Sequence, residues 1–222
     1  MKGVFVIGTD TGVGKTAVCA GLLKMTQGQK KGTSWKPVQT GTIRGDDTSE
    51  VKMLSNLQAS SFIEPAFRFP EPLSPYKAAE KWGKKISLSE LSSLLKKEIE
   101  QEKFVIVEGA GGLLVPYDRE WLQIDLIKAS EFPVLIVGKD KVGVINQVLL
   151  TLAALKDENI AVLGVVLTHS TGNSGNAEVI TEFSKTKVIL ELLPKEDKRL
   201  LVAEVERCEE LRRFMGVPVL TV

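Results

Sequence analysis

Val4-Phe5-Val6-Ile7-Gly8-Thr9-Asp10-Thr11-Gly12-Val13-Gly14-Lys15-Thr16 runs from an apolar segment through a glycine-rich turn into a helical pattern. Val4-Phe5-Val6-Ile7 is β-branched and aromatic, which predicts a short buried strand. After Thr16, the apolar residues Val18, Cys19, Leu22 and Leu23 recur at helical spacing. The turn resembles the phosphate-binding loop, in which a glycine, four free positions and Gly-Lys-Ser/Thr follow one another. Gly14-Lys15-Thr16 fits, whereas Gly8 stands one residue further back than the pattern asks, with Thr9 in its place. Strand, glycine loop and helix is the order this chemistry needs. Backbone N–H groups of Gly12, Val13 and Gly14 converge on phosphate oxygens at the helix start, and the glycines keep a Cβ out of the way. Lys15 would reach the β- and γ-phosphates, and the Thr16 hydroxyl would ligate Mg²⁺. A turn that merely joined strand to helix would account for the glycines but not for Gly-Lys-Thr in this context.

The 222 residues suffice for one large domain, expected to span 1–222. Lys and Arg number 29 against 28 Asp and Glu, so charge argues for neither nucleic acid nor an anionic membrane as a partner. Met1-Lys2 leads straight into a strand pattern without an apolar signal segment, and no apolar run reaches membrane-spanning length. Cys19 and Cys208, both on expected helices, read as buried free thiols of a reducing cytoplasm, with a disulfide between them as the alternative. His169, the sole histidine, excludes multi-histidine metal sites and makes a Ser-His-Asp triad a poor reading.

Further strands are predicted at 34–38, 104–107, 133–137, 161–167, 188–190 and 217–220. Helices are predicted at 47–57, 88–101, 121–129, 144–157, 176–183 and 203–214. Strands alternating with helices imply right-handed crossovers and a mostly parallel sheet of about seven strands, with helices on both faces. Residues 60–85, rich in Pro and aromatics, read as a long ordered loop with a short helix near 77–82.

Phe104-Val105-Ile106-Val107-Glu108-Gly109-Ala110-Gly111-Gly112 is a second signal. A strand ending in a carboxylate, in a chain with a phosphate loop, is where nucleotide hydrolases hold Mg²⁺. Glu108 takes that place, although a strand-ending acid can also merely cap a turn. A third group, Trp35-Lys36-Pro37-Val38-Gln39-Thr40-Gly41, falls at a strand's carboxyl end, where open α/β sheets bind ligands. There Lys36 is either a second positive charge beside the phosphates or a solvated surface lysine. Asp46 or Asp47 starts a helix as an N-cap, and one of them could also face the metal.

Together these stretches resemble the dethiobiotin synthetase family. The resemblance rests on 8–16, Lys36-Pro37-Val38 with Thr40-Gly41, 107–112 continuing into Leu113-Leu114-Val115-Pro116, Pro72-Leu73-Ser74-Pro75 with Ala78-Ala79, and Gly143-Val144-Ile145-Asn146 with Leu149-Leu150-Thr151. It runs to about Pro194 in family order and implies a P-loop NTPase fold. It implies ATP-dependent closure of a ureido ring. CO₂ adds to an amine of 7,8-diaminononanoate, ATP phosphorylates the carbamate, and the second amine attacks to give dethiobiotin, ADP and phosphate.

Carried over by residue, the resemblance makes Thr11, Lys15 and Lys36 phosphate and carbamate contacts and Thr16, Asp47 and Glu108 magnesium ligands. Thr40 and Gly111 fall near the substrate, and Asn146 reaches the substrate carboxylate across a homodimer interface. Leu193-Pro194 and Glu196 fall in the loop against base and ribose. The chain departs from the family at Gly12, where Glu is common, at Gln147, where His follows the Asn, and at Thr168-His169, where Asn usually meets the purine. Thr donates and accepts less rigidly than Asn, which implies relaxed use of other nucleoside triphosphates. An amidoligase of the cobyrinate type would need a glutaminase domain for which this chain is too short. A partitioning-type ATPase switch would carry a second lysine early in the loop, where this chain has Thr9, Asp10 and Thr11.

Overall fold

A computed structural model describes residues 1–27, 30–43, 45–101 and 103–218. The first strand, β1 (Gly3–Gly8), feeds the glycine loop into α1 (Lys15–Thr26), as the opening stretch predicts. Next come β2 (Gly32–Trp35), β3 (Val38–Thr40), α2 (Asp47–Ser55), β4 (Phe62–Ile63), β5 (Phe67–Phe69), α3 (Pro75–Lys81) and α4 (Leu88–Glu100). The remainder is β6 (Phe104–Glu108), α5 (Gln123–Ser130), β7 (Val134–Lys139), α6 (Val144–Asp157), β8 (Val162–Thr168), α7 (Asn176–Ser184), β9 (Val188–Leu192), α8 (Lys198–Arg207) and α9 (Glu209–Met215).

Seven strands form one parallel sheet in the order β4-β2-β6-β1-β7-β8-β9. Period-two alternation sends Phe5 and Ile7 to one face, with Trp35, Val107 and Ile136. Val4 and Val6 go to the other, with Ile106, Leu135 and the α1 residues Val18 and Leu22. Both faces are covered, which is why these strands read as unbroken apolar runs. On the second face α1 lies so close to α8 that a Cβ at Gly21 would sit 2.4 Å from Val205. No helix among the described residues is long and apolar enough to cross a membrane.

Four expectations need correction. The strand at 34–38 is broken at Lys36-Pro37, because Pro37 has no N–H to give the ladder; β3 instead pairs with β5 in a separate two-stranded sheet. The loop at 60–85 is more structured than its prolines suggest. It supplies the edge strand β4, and α3 starts at Pro75, with proline at the first helical position where its missing N–H costs nothing. The helix at 203–214 is two helices that meet at Cys208, the first starting at Lys198. Val217 and Pro218 belong to no strand, and residues 219–222 of the last expected strand lie outside the described residues. Cys19 is buried and Cys208 half-buried, and both are free thiols.

Candidate active site

The chain crosses from one side of the sheet to the other around β1, so the turns after β1 and β6 open side by side at the strands' carboxyl ends. They line a cavity of about 750 Å³. The phosphate loop is stitched in place by backbone bonds, Gly8 N–H donating to Gly111 O (3.1 Å) and Thr9 N–H to Val137 O (2.9 Å). Gly12 (φ +66°) and Gly14 (φ +95°) adopt the left-handed conformation that a side chain resists. Gly14 is also the N-cap of α1 and offers no side-chain acceptor, which leaves the helix's positive end for an external anion. Lys15 folds back over the loop, donating to Asp10 O at 3.1 Å, and burial followed by the Lys36 charge lowers its pKa.

Lys36 is no surface lysine. It is 8% exposed, and its ammonium donates to Glu108 Oε1 at 3.1 Å and to Asp47 Oδ2. Burial opposes its charge, but the Glu108 and Asp47 carboxylates outweigh burial and raise its pKa. Glu108, 2% exposed, is shifted upward by burial against the pull of Lys36. Its Oε1 also accepts from the Thr16 hydroxyl at 3.1 Å. Asp46 lies apart, capping α2 through Ser49 N–H (3.0 Å) and pairing with Arg68, so Asp47 alone of the two faces Lys36. The Thr16 hydroxyl and the Asp47 and Glu108 carboxylates are hard oxygen donors gathered on one wall, a set that fits Mg²⁺.

The same cavity takes in Thr11, Thr40, Gly111, Thr168 and Pro194 from the sequence-derived set. Val13 lies under the loop, where its carbonyl accepts from the Thr168 hydroxyl at 2.7 Å. Thr168 is therefore engaged with the phosphate loop. His169, Leu193, Lys195, Lys198 and Leu201 form the wall beyond it. Glu196 and Asn146 do not line the cavity; Asn146 is exposed on α6. The sequence reading missed Glu50 and Lys198, which bridge α2 and α8 across the mouth at 2.6 Å, since nothing local links residues so far apart in the chain. It also missed Gln123, whose side chain is bonded to the turn after β6.

The model of the AAA domain family AAA_26 matches residues 2–199. The ATP-dependent dethiobiotin synthetase BioD of Paramagnetospirillum magneticum is 37% identical over 87% of this chain and 89% of its own length. The chain belongs to the dethiobiotin synthetase family. The synthetase of Bacillus licheniformis is 35% identical over 82% of each chain. Among solved structures, the MinC:MinD cell division complex of Aquifex aeolicus matches with a TM-score of 0.62 over 100% of this chain and 98% of that one, at 12% identity. Pyrococcus furiosus MinD matches at 0.59, over 96% and 100%, with 16% identity. At such identities the likeness to MinD is one of fold, a P-loop NTPase sheet, while the sequence relatives are synthetases.

Proposed function

We propose that this chain is an ATP-dependent dethiobiotin synthetase acting on 7,8-diaminononanoate and CO₂, as a cytoplasmic homodimer of one domain per chain. The observation that carries the reading is the convergence of Lys15, Lys36, Thr16, Asp47, Glu108 and the Gly111 turn on one cavity, in a member of this family.

The reaction joins two anions, a carbamate and a triphosphate, so positive charge must be in place before they meet. The phosphate loop and Lys15 hold the γ-phosphoryl, with Thr11 beside it. Lys36 serves phosphate and carbamate together from between the two carboxylates. Thr16, Asp47 and Glu108 would hold Mg²⁺, which would neutralise charge on the phosphates. Thr40 and Gly111 position the diamine, while Pro194 approaches base and ribose, with Glu196 two residues on in the same loop but outside the cavity. Once the carbamate is phosphorylated, the second amine displaces phosphate as soon as it is neutral, so this chain's contribution is positioning and charge stabilisation. Asn146 takes the substrate carboxylate from the second protomer; fully exposed Val142, in the turn before α6, and exposed Leu150, one helical turn beyond Asn146, are apolar surface suited to an interface.

The test is phosphate release from Mg-ATP with and without bicarbonate plus 7,8-diaminononanoate. Release that requires both, with matching dethiobiotin, is the expected result. Release indifferent to the diamine overturns the reading and favours a partitioning-type switch that binds a protein partner.

A further inference from the structure

The turn after β6 is held by one buried side chain outside every motif described above. Gln123, the first residue of α5, has no exposed surface. Its Oε1 accepts from Ala110 N–H at 2.6 Å and from the Tyr117 hydroxyl at 3.0 Å, and its Nε2 donates to Gly112 O at 2.8 Å. The amide thus spans Gly111, gripping the residue before it and the residue after it. Its orientation is dictated by the partners, since a backbone N–H can only donate and a carbonyl can only accept. Gly111 sits at φ +64° and its own carbonyl accepts from Gly8 N–H. A Cβ at Gly109 would lie 2.5 Å from Gln123 Oε1, so the turn rests directly on the amide.

We propose that Gln123 is a positioning residue that fixes the Gly111 turn for the diamine. The inference rests on the reading of the site given above. Ring closure needs the attacking amine placed to within a fraction of an ångström, and the backbone that places it takes its geometry from this amide. Tyr117, buried beside Trp121, steadies Oε1 from the other side.

Replacement by a carboxyl makes the claim conditional on pH. In Q123E one oxygen can still accept from Ala110 and Tyr117, but the other meets Gly112 O and bonds to it only when protonated. Burial raises such a carboxyl from about 4.3 by as much as about 3–5 pH units, which places its titration as high as about pH 7–9. Relative to wild type at the same pH, Q123E should lose about 10²-fold in kcat/KM for the diamine at about pH 10 and recover towards wild type at about pH 6. KM for ATP should stay within about twofold. Q123M, of similar volume with no donor or acceptor, should show the loss at both pH values. Wild-type behaviour of Q123E throughout, or a parallel rise in both KM values without recovery in acid, overturns the proposal. If neither variant folds, Y117F decides it: an increase of about 2- to 10-fold in diamine KM at constant ATP KM supports the clamp, and no change overturns it. A wild-type chain without diamine-dependent turnover would instead reject the functional reading itself, before any variant is compared.

Discussion

The ammonium nitrogen of Lys36 lies 3.1 Å from Oε1 of Glu108, with both residues almost wholly buried. Losing one member of such a pair leaves the other charge stranded in a poor solvent. Lys36→Met should therefore destabilise the fold by about 3–5 kcal/mol in chemical denaturation, and abolish turnover as well. Adding Glu108→Gln removes the stranded charge and should restore much of that stability without restoring activity. Recovery of turnover in the double variant would show that the pair is structural only.

Lys15 bonds to the loop through a single carbonyl, that of Asp10, and carries its charge where burial disfavours it. Little of the fold depends on that bond. Lys15→Ala should lower kcat by about 100-fold or more with an almost unchanged Tm. Substantial residual phosphoryl transfer would remove Lys15 from the mechanism.

Thr168 shows where the sequence could and could not be read. The family resemblance sets it where a side chain meets the purine, but its hydroxyl proves to be bonded to Val13 O at 2.7 Å. Loss of that bond in Thr168→Val should raise KM for ATP about 2- to 10-fold. A hydroxyl engaged with the loop is not free to read a base, so GTP and CTP should support turnover within about 100-fold of ATP. A site that hydrogen-bonds the base discriminates by about 10⁴ or more, and discrimination on that scale would sink the idea.

The strand and loop from Val4 to Thr16 could be read because their signals are local: apolar runs and glycines within a few residues of Lys15. Glu108 and Lys36 were placed by strand ends, again a local feature. The burial of Lys36 was not readable, since it depends on a contact with a residue 72 positions away. Proline content hid β4, whose two residues gain their strand character only by pairing with Ser34 and Trp35. Gln123 carried no signal at all, because an isolated glutamine matters here only through the turn folded against it.

Outside the cavity, Asp140 accepts from Asn176 Nδ2 (2.6 Å) and from the hydroxyls of Ser170 and Ser174 (2.8 Å each). Burial alone would raise its pKa, but these three bonds outweigh it and hold the carboxyl below its ordinary 3.8. A depressed carboxyl stabilises the fold above its unfolded pKa, and that contribution fades as pH falls through the folded value. Asp140→Asn should therefore melt below wild type at neutral pH, with the gap closing in acid. A gap that is constant with pH would show that the carboxylate's charge plays no part.

Asn146 is the one substrate residue of the proposed site that its own chain leaves outside the cavity. Exposed on α6 between Val142 and Leu150, it would meet the substrate from the second copy of the proposed homodimer. Losing a hydrogen bond to a carboxylate costs about 1.5–3 kcal/mol, so Asn146→Ala should raise KM for the diamine about 10- to 100-fold and leave KM for ATP unchanged. Replacing Val142 and Leu150 by Asp should split the proposed homodimer and produce the same selective loss, with sedimentation and kinetics changing together. A monomer that retains full diamine affinity would place Asn146 outside the site.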